Sequence, residues 1–301
     1  MSTLSITAIK RCRMRFMGAY LFDLLRAKDR KDFAYQCDRL YRPDFYAGLR
    51  PDEAKAVHLN PKWLKLLDDG IQLRECCVKR LVEAKPELDR VLKNPLWEVL
   101  EWDDCDPCAS IHYLASLKTL TRALEGSTYR DRMNARMRWA MGIPDWERLA
   151  FPLALLDTVK YSSQRSWLNK HFCNYLALAT LHPAYHGCYR DLWKLIDEWL
   201  SARKPLRGAT PALNWPVDIL AFNKRREVLK QGRDFLVESG WLPPEDGSYQ
   251  IHAAMLWCIC LGGKPLMDRF MKSILRGVRR CPDWLRRMMR ELDSRLNVKC
   301  S

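Results

Sequence analysis

The chain has 301 residues, of which 48% are hydrophobic and 29% charged, and its 51 lysines and arginines against 36 aspartates and glutamates leave a net charge of +15. That length can bury a core without disulfide or metal staples, and the composition excludes a disordered chain. The charge is uneven, at +6 over residues 1–50, zero over 51–200, +2 over 201–263 and +7 over 264–301, which predicts a localised basic surface facing an acidic partner such as nucleic acid.

From the amino terminus, Lys10, Arg11, Arg13 and Arg15 interrupt any apolar run, so no secretory signal is expected. Phe16, Met17, Tyr20, Leu21, Leu24 and Leu25 then recur at three- and four-residue steps, the pattern of one buried helix face. The same period dominates the rest of the chain, and alternating β-branched patterns are almost absent. The expected fold class is all-α, a compact bundle of amphipathic helices. It reads as a single domain over 1–301, with subdomain boundaries near the Asp-rich 101–109 and the Pro- and Gly-containing 203–216.

Prolines mark helix starts along the way. Pro61, Pro86, Pro95, Pro144, Pro216, Pro265 and Pro282 each precede an apolar-periodic run, where the missing N–H costs nothing and the fixed φ suits a first turn. Four of them form Pro-x-Trp: Pro61/Trp63, Pro95/Trp97, Pro144/Trp146 and Pro282/Trp284. Their unequal spacing argues against a repeat and for large rings pinning helix starts in the core. "IHYLASL" at 111–117 and "IHAAMLW" at 251–257 echo one another, with too little identity for a duplication. The longest apolar run, residues 253–263, is too short to span a bilayer, so no transmembrane segment is expected. The twelve scattered cysteines fit buried, reduced core positions and a cytoplasmic protein.

The carboxy-terminal segment carries the clearest functional signal. Leu266, Met267, Phe270, Met271, Ile274, Leu275 and Val278 form an apolar stripe, and Arg269, Lys272, Arg276, Arg279 and Arg280 lie opposite it. After a Cys-Pro turn, Arg286, Arg287 and Arg290 repeat the arrangement. Eight arginines to three lysines over 264–301 suit bidentate phosphate contact better than a merely solvated face. Lys10, Arg11, Arg13 and Arg15 form a second basic group on the first helix.

Other chemistries are less well supported. Cys105, Cys108 and His112 have the spacing of three zinc ligands, but a lone CxxC without a second pair is weak, and no cofactor is expected. His182 and His186 lie in "HPAYHGC", where Pro183 and Gly187 predict a loop and a structural role. "RSWLNKH" places Arg165 six residues before His171, and this resembles the R-x4–6-H motif of HEPN ribonucleases. The resemblance spans seven residues and implies His171 as acid/base and Arg165 as phosphate stabiliser; only Ser166 stands where that family often has a polar residue after the arginine. No Gly-rich phosphate loop, G-x-S-x-G or H-E-x-x-H is present. The expected function is therefore non-catalytic binding of a nucleic-acid backbone, DNA or RNA, by the Arg-rich terminal helices, as a subunit of a larger assembly. A helical protein-binding module of immunity or adaptor type that occludes a partner is the alternative, and a HEPN-like ribonuclease the next.

Overall fold

In the computed structural model the described residues are 5–50, 60–102, 107–117, 136–138, 140–158, 162–202, 215–242, 244, 249–262, 265, 266, 268–270, 272, 283 and 287. The fold is all-α, and no strand occurs among the described residues. In chain order the helices are α1 (Ile6–Leu24), α2 (Arg30–Tyr41), α3 (Pro43–Ala47), α4 (Lys62–Asp69), α5 (Glu75–Ala84), α6 (Glu87–Leu92), α7 (Pro95–Glu101), α8 (Pro107–Ser116), α9 (Ala150–Asp157), α10 (Ser162–Ala179), α11 (Tyr189–Ala202), α12 (Ile219–Glu238) and α13 (Tyr249–Leu261), with 3-10 turns at Trp146–Arg148 and Pro183–Tyr185. The chain forms two compact units, Met1–Asp106 with Pro183–Arg203, and Pro107–His182 with Lys204–Ser301.

Local chemistry sets the helix boundaries. Asp29 accepts from the backbone N–H groups of Lys31 and Asp32, at 2.8 and 2.9 Å, and so starts α2. Asn94 accepts from Leu96 N at α7, and Asp218 from Ala221 N at α12. Each supplies a partner to an N–H that a helix start leaves unpaired. Pro95 is the first residue of α7, whereas Pro61 and Pro86 stand one position before α4 and α6. Pro43 and Pro107 open α3 and α8 in the same way.

The first unit is built around α1. Its residues Ile9, Cys12, Phe16, Met17 and Leu21 are buried, while Tyr20, Leu24 and Leu25 lie half-buried at its margin. Phe16 stacks on Tyr185, with ring centroids 4.4 Å apart. Trp97 and Trp199 are buried with their indole N–H groups satisfied by the carbonyls of Val91 (2.8 Å) and Val99 (3.0 Å). A buried indole needs such an acceptor, and here the acceptors tie α7 to α6 and α11 to α7. Helix α4 ends at Gly70 in the left-handed region (φ +63°), packed against the backbone of Arg11.

In the second unit α9 is buried from Ala150 to Leu156, and α13 is buried on nearly all sides, as a helix apolar all round must be. Tyr175 on α10 donates to the carbonyls of Met141 (3.0 Å) and Ile143 (3.2 Å). Tyr249 donates to Leu178 O at 2.6 Å, and the buried Arg226 guanidinium donates to Thr180 O at 3.1 Å just past the carboxyl end of α10. These bonds bring side-chain donors to carbonyls near helix carboxyl ends, where the intrahelical pattern runs out.

The Pro-x-Trp rings at Trp63, Trp97 and Trp146 are all core residues, and Trp284 lies outside the described residues. Of the eight cysteines whose side chains are described, six are buried, and all eight are free thiols. The sequence echo does not carry into structure, since His112 is exposed and His252 is buried. Among the described residues no helix is long and apolar enough to cross a membrane.

Candidate nucleic-acid interface

The carboxy-terminal segment is anchored by Phe270. Its ring is 1% exposed and lies over Gly232 of α12, so close that a Cβ there would fall 2.8 Å from Phe270 Cε1. The missing side chain is what admits the ring. With Phe270 turned inward, Arg269 and Lys272 on the same helical stretch are exposed, and Arg287, also helical, is exposed. Arg276, Arg279, Arg280, Arg286 and Arg290 lie outside the described residues.

The amino-terminal basic group is divided by its surroundings. Lys10 and Arg11 are exposed, whereas Arg13 and Arg15 are half-buried. Arg15 forms an ion pair with Asp191 of α11, and Arg11 Nε donates to Asp69 O at 2.9 Å, at the carboxyl end of α4. Both guanidinium groups therefore hold helices of the first unit together, and a cation at a helix carboxyl end also suits its dipole. Arg30 likewise pairs with Asp68. The two basic termini belong to different units, the first 50 residues to one and residues 264–301 to the other.

Arg165 and His171 share α10. Arg165 is buried, and burial lowers its proton affinity against the opposing effect of Asp157. The His171 ring packs on Trp167 with centroids 4.5 Å apart and meets Trp257 in a T-shaped arrangement with centroids 6.3 Å apart. Its pKa falls to about 4, first through burial and then through the positive charges of Lys170 and Arg138. At neutral pH the imidazole is uncharged and in aromatic contact on two sides.

Of the zinc candidates, His112 is exposed, while Cys105 and the Cys108 side chain lie outside the described residues. No group of three or more metal-ligating side chains occurs among the described residues. Burial pushes the thiols of Cys173, Cys188 and Cys260 up to about 11, 12 and 12, so they pack as neutral groups. His182 packs edge-on against the Tyr249 ring at 4.8 Å, and His186 is exposed beside the 3-10 turn.

One constellation escaped the sequence reading. At the end of α2, Tyr41 has Lys62 Nζ 3.7 Å from its ring centroid and Arg80 Cζ 5.4 Å from it, and Arg42 Cζ lies 4.9 Å from the Phe45 ring. Beneath them the buried Asp38 accepts from Trp63 Nε1 (3.0 Å), Tyr46 OH (3.0 Å) and Arg42 Nη2. The alternation of arginines and aromatics in "RLYRPDFYAGLR", residues 39–50, is the local signal for half of this site. Lys62 and Arg80 arrive from helices more distant in sequence, and only folding brings them in.

No protein-family model, curated protein or solved structure matches this chain.

Proposed function

We propose that this all-α protein is a non-catalytic binding protein whose exposed carboxy-terminal cations contact a nucleic-acid backbone, as a subunit of a larger assembly. The observation that carries the reading is the outward placement of Arg269, Lys272 and Arg287, the first two beside the core-anchored Phe270, in a segment of net charge +7. Arginine suits phosphate, and phosphate contacts fix position rather than sequence. His171 is uncharged near neutrality and so lacks the imidazolium proton that a general-acid role would use.

The test is fluorescence anisotropy of nucleic-acid-free protein with labelled single- and double-stranded DNA and RNA across a salt series. Affinity is expected to fall steeply with salt, and Arg269→Glu/Lys272→Glu/Arg287→Glu is expected to weaken it about a hundredfold or more while flattening the salt slope. Unchanged affinity in that variant removes these residues from the interface. No binding at low salt to any polymer overturns the reading and leaves the protein-binding module.

A further inference from the structure

The arrangement around Tyr41 does more than hold the first unit together. Lys62 on α4 and Arg80 on α5 approach the same ring, and among the described residues neither is ion-paired with a carboxylate. Arg80 is fixed by donating from Nη1 to Tyr41 O at 2.8 Å, and the Lys62 ammonium also faces the Trp63 ring at 4.3 Å. Two cations held around one ring repel each other. The ring quadrupole offsets part of that repulsion, and a bound anion would offset more of it.

The adjacent aromatic surface is equally well held. Phe45 is 46% exposed, with the Arg42 guanidinium over its ring and the edge of Tyr46 against it at 5.3 Å. Tyr46 and Arg42 are both bound to Asp38, and so is Trp63, the residue after Lys62. One buried carboxylate thus ties Arg42 and Tyr46, which hold the exposed phenyl ring, to Trp63, the chain neighbour of Lys62. An exposed aromatic ring of fixed position, in the same unit as cations that no described carboxylate neutralises, offers what an unstacked base and the nucleic-acid backbone require.

We infer that the first unit carries a separate contact for single-stranded nucleic acid, with the backbone phosphates bound by Lys62 and Arg80 at the Tyr41 ring and an unpaired base stacked on Phe45. A duplex hides its base faces inside the stack and would engage only the cations. The inference shares its class of partner with the function proposed above and none of its residues, so the two can fail separately.

The experiment measures binding of labelled oligouridylate, oligodeoxythymidylate and a duplex to the full chain and to three variants: Lys62→Gln/Arg80→Gln, Phe45→Ala and Phe45→Trp, each first checked for an unchanged melting temperature. The double variant is expected to weaken single-strand binding about tenfold or more and to reduce the salt slope by about one. Phe45→Ala is expected to weaken it about fivefold or more with the salt slope and the duplex affinity unchanged, and Phe45→Trp to restore it. Ultraviolet cross-linking of oligouridylate should label the peptide containing Tyr41 and Phe45. Wild-type single-strand affinity in both the double variant and Phe45→Ala overturns the inference, and if binding is at the same time lost in the Arg269/Lys272/Arg287 variant, the carboxy-terminal reading stands alone. No binding of any polymer to the wild type overturns both.

Discussion

Trp63 Nε1 donates to the carboxylate of Asp38 at 3.0 Å, and this bond joins the start of α4 to the buried face of α2. Asp38 is 1% exposed, yet it holds its charge because Trp63, Tyr46 and Arg42 all donate to it. Burial pushes its proton affinity up; the hydrogen bonds from Trp63, Arg42 and Tyr46 together outweigh that and set its pKa below the ordinary value. Asp38→Ala should cost about 3 kcal/mol or more, since it strands an indole N–H, a hydroxyl and a guanidinium together. Chemical denaturation of the two proteins checks this.

The same carboxylate makes a pH prediction. Its folded-state pKa lies below the unfolded one, so its stabilisation is present above the unfolded value and is lost as pH falls through the folded value. Asp38→Asn should therefore lose less stability than wild type on acidification through that window. Parallel melting curves in the two proteins would contradict the assignment.

Gly70 closes α4 with φ +63°, and a Cβ there would lie 2.2 Å from the carbonyl oxygen of Arg11. Backbone cannot move aside as a flexible side chain can, so Gly70→Ala combines left-handed strain with a collision. A loss of about 2 kcal/mol or more is expected in urea denaturation. A neutral result would mean that α1 and α4 are not packed at this point.

His171 titrates in the opposite sense from a paired histidine. With its folded pKa lowered to about 4 from 6.5, the unfolded chain binds the proton first, so stability is full above 6.5 and declines as pH falls from there toward 4. His171→Phe, which keeps an aromatic ring against Trp167, should remove that part of the acid limb. Nuclear magnetic resonance titration of the imidazole reads the pKa directly, and a midpoint near the ordinary value would show that it is not desolvated.

Phe270→Ala should destabilise the second unit by about 3 kcal/mol, the usual cost of emptying a buried phenyl site. It should also speed amide exchange around residues 265–272, because that ring is the anchor of the segment. If the segment contacts nucleic acid as proposed, affinity falls with it although no charge has changed. Exchange as slow as in wild type would mean that Phe270 is not the anchor.

How much of this was legible in advance depended on how local each cause is. Helical period and proline placement act within a turn or two, so the all-α class, the amphipathic first helix and the burial of Trp63, Trp97 and Trp146 could be read from the chain. Charge sign could be read as well, though its use could not. Arg11 and Arg15 resemble surface cations in sequence, but their partners, Asp69 O and Asp191, lie 58 and 176 residues away. Arg165 and His171 match a spacing, while the burial of one and the aromatic packing of the other come from neighbours that the motif does not contain.

By itself, then, the sequence determined the helices, their buried faces and the concentration of positive charge at the two ends, because propensity, periodicity and net charge are properties of neighbouring residues. Only the tertiary structure decided which of the described cations are held in ion pairs or at helix ends, as Arg15 and Arg11 are. It also decided that Lys62 and Arg80 meet at Tyr41 above a carboxylate held by three donors. The physical reason is that desolvation and hydrogen-bond partnership depend on what the fold packs against a residue, and α2, α4 and α5 become neighbours only when the chain closes on itself.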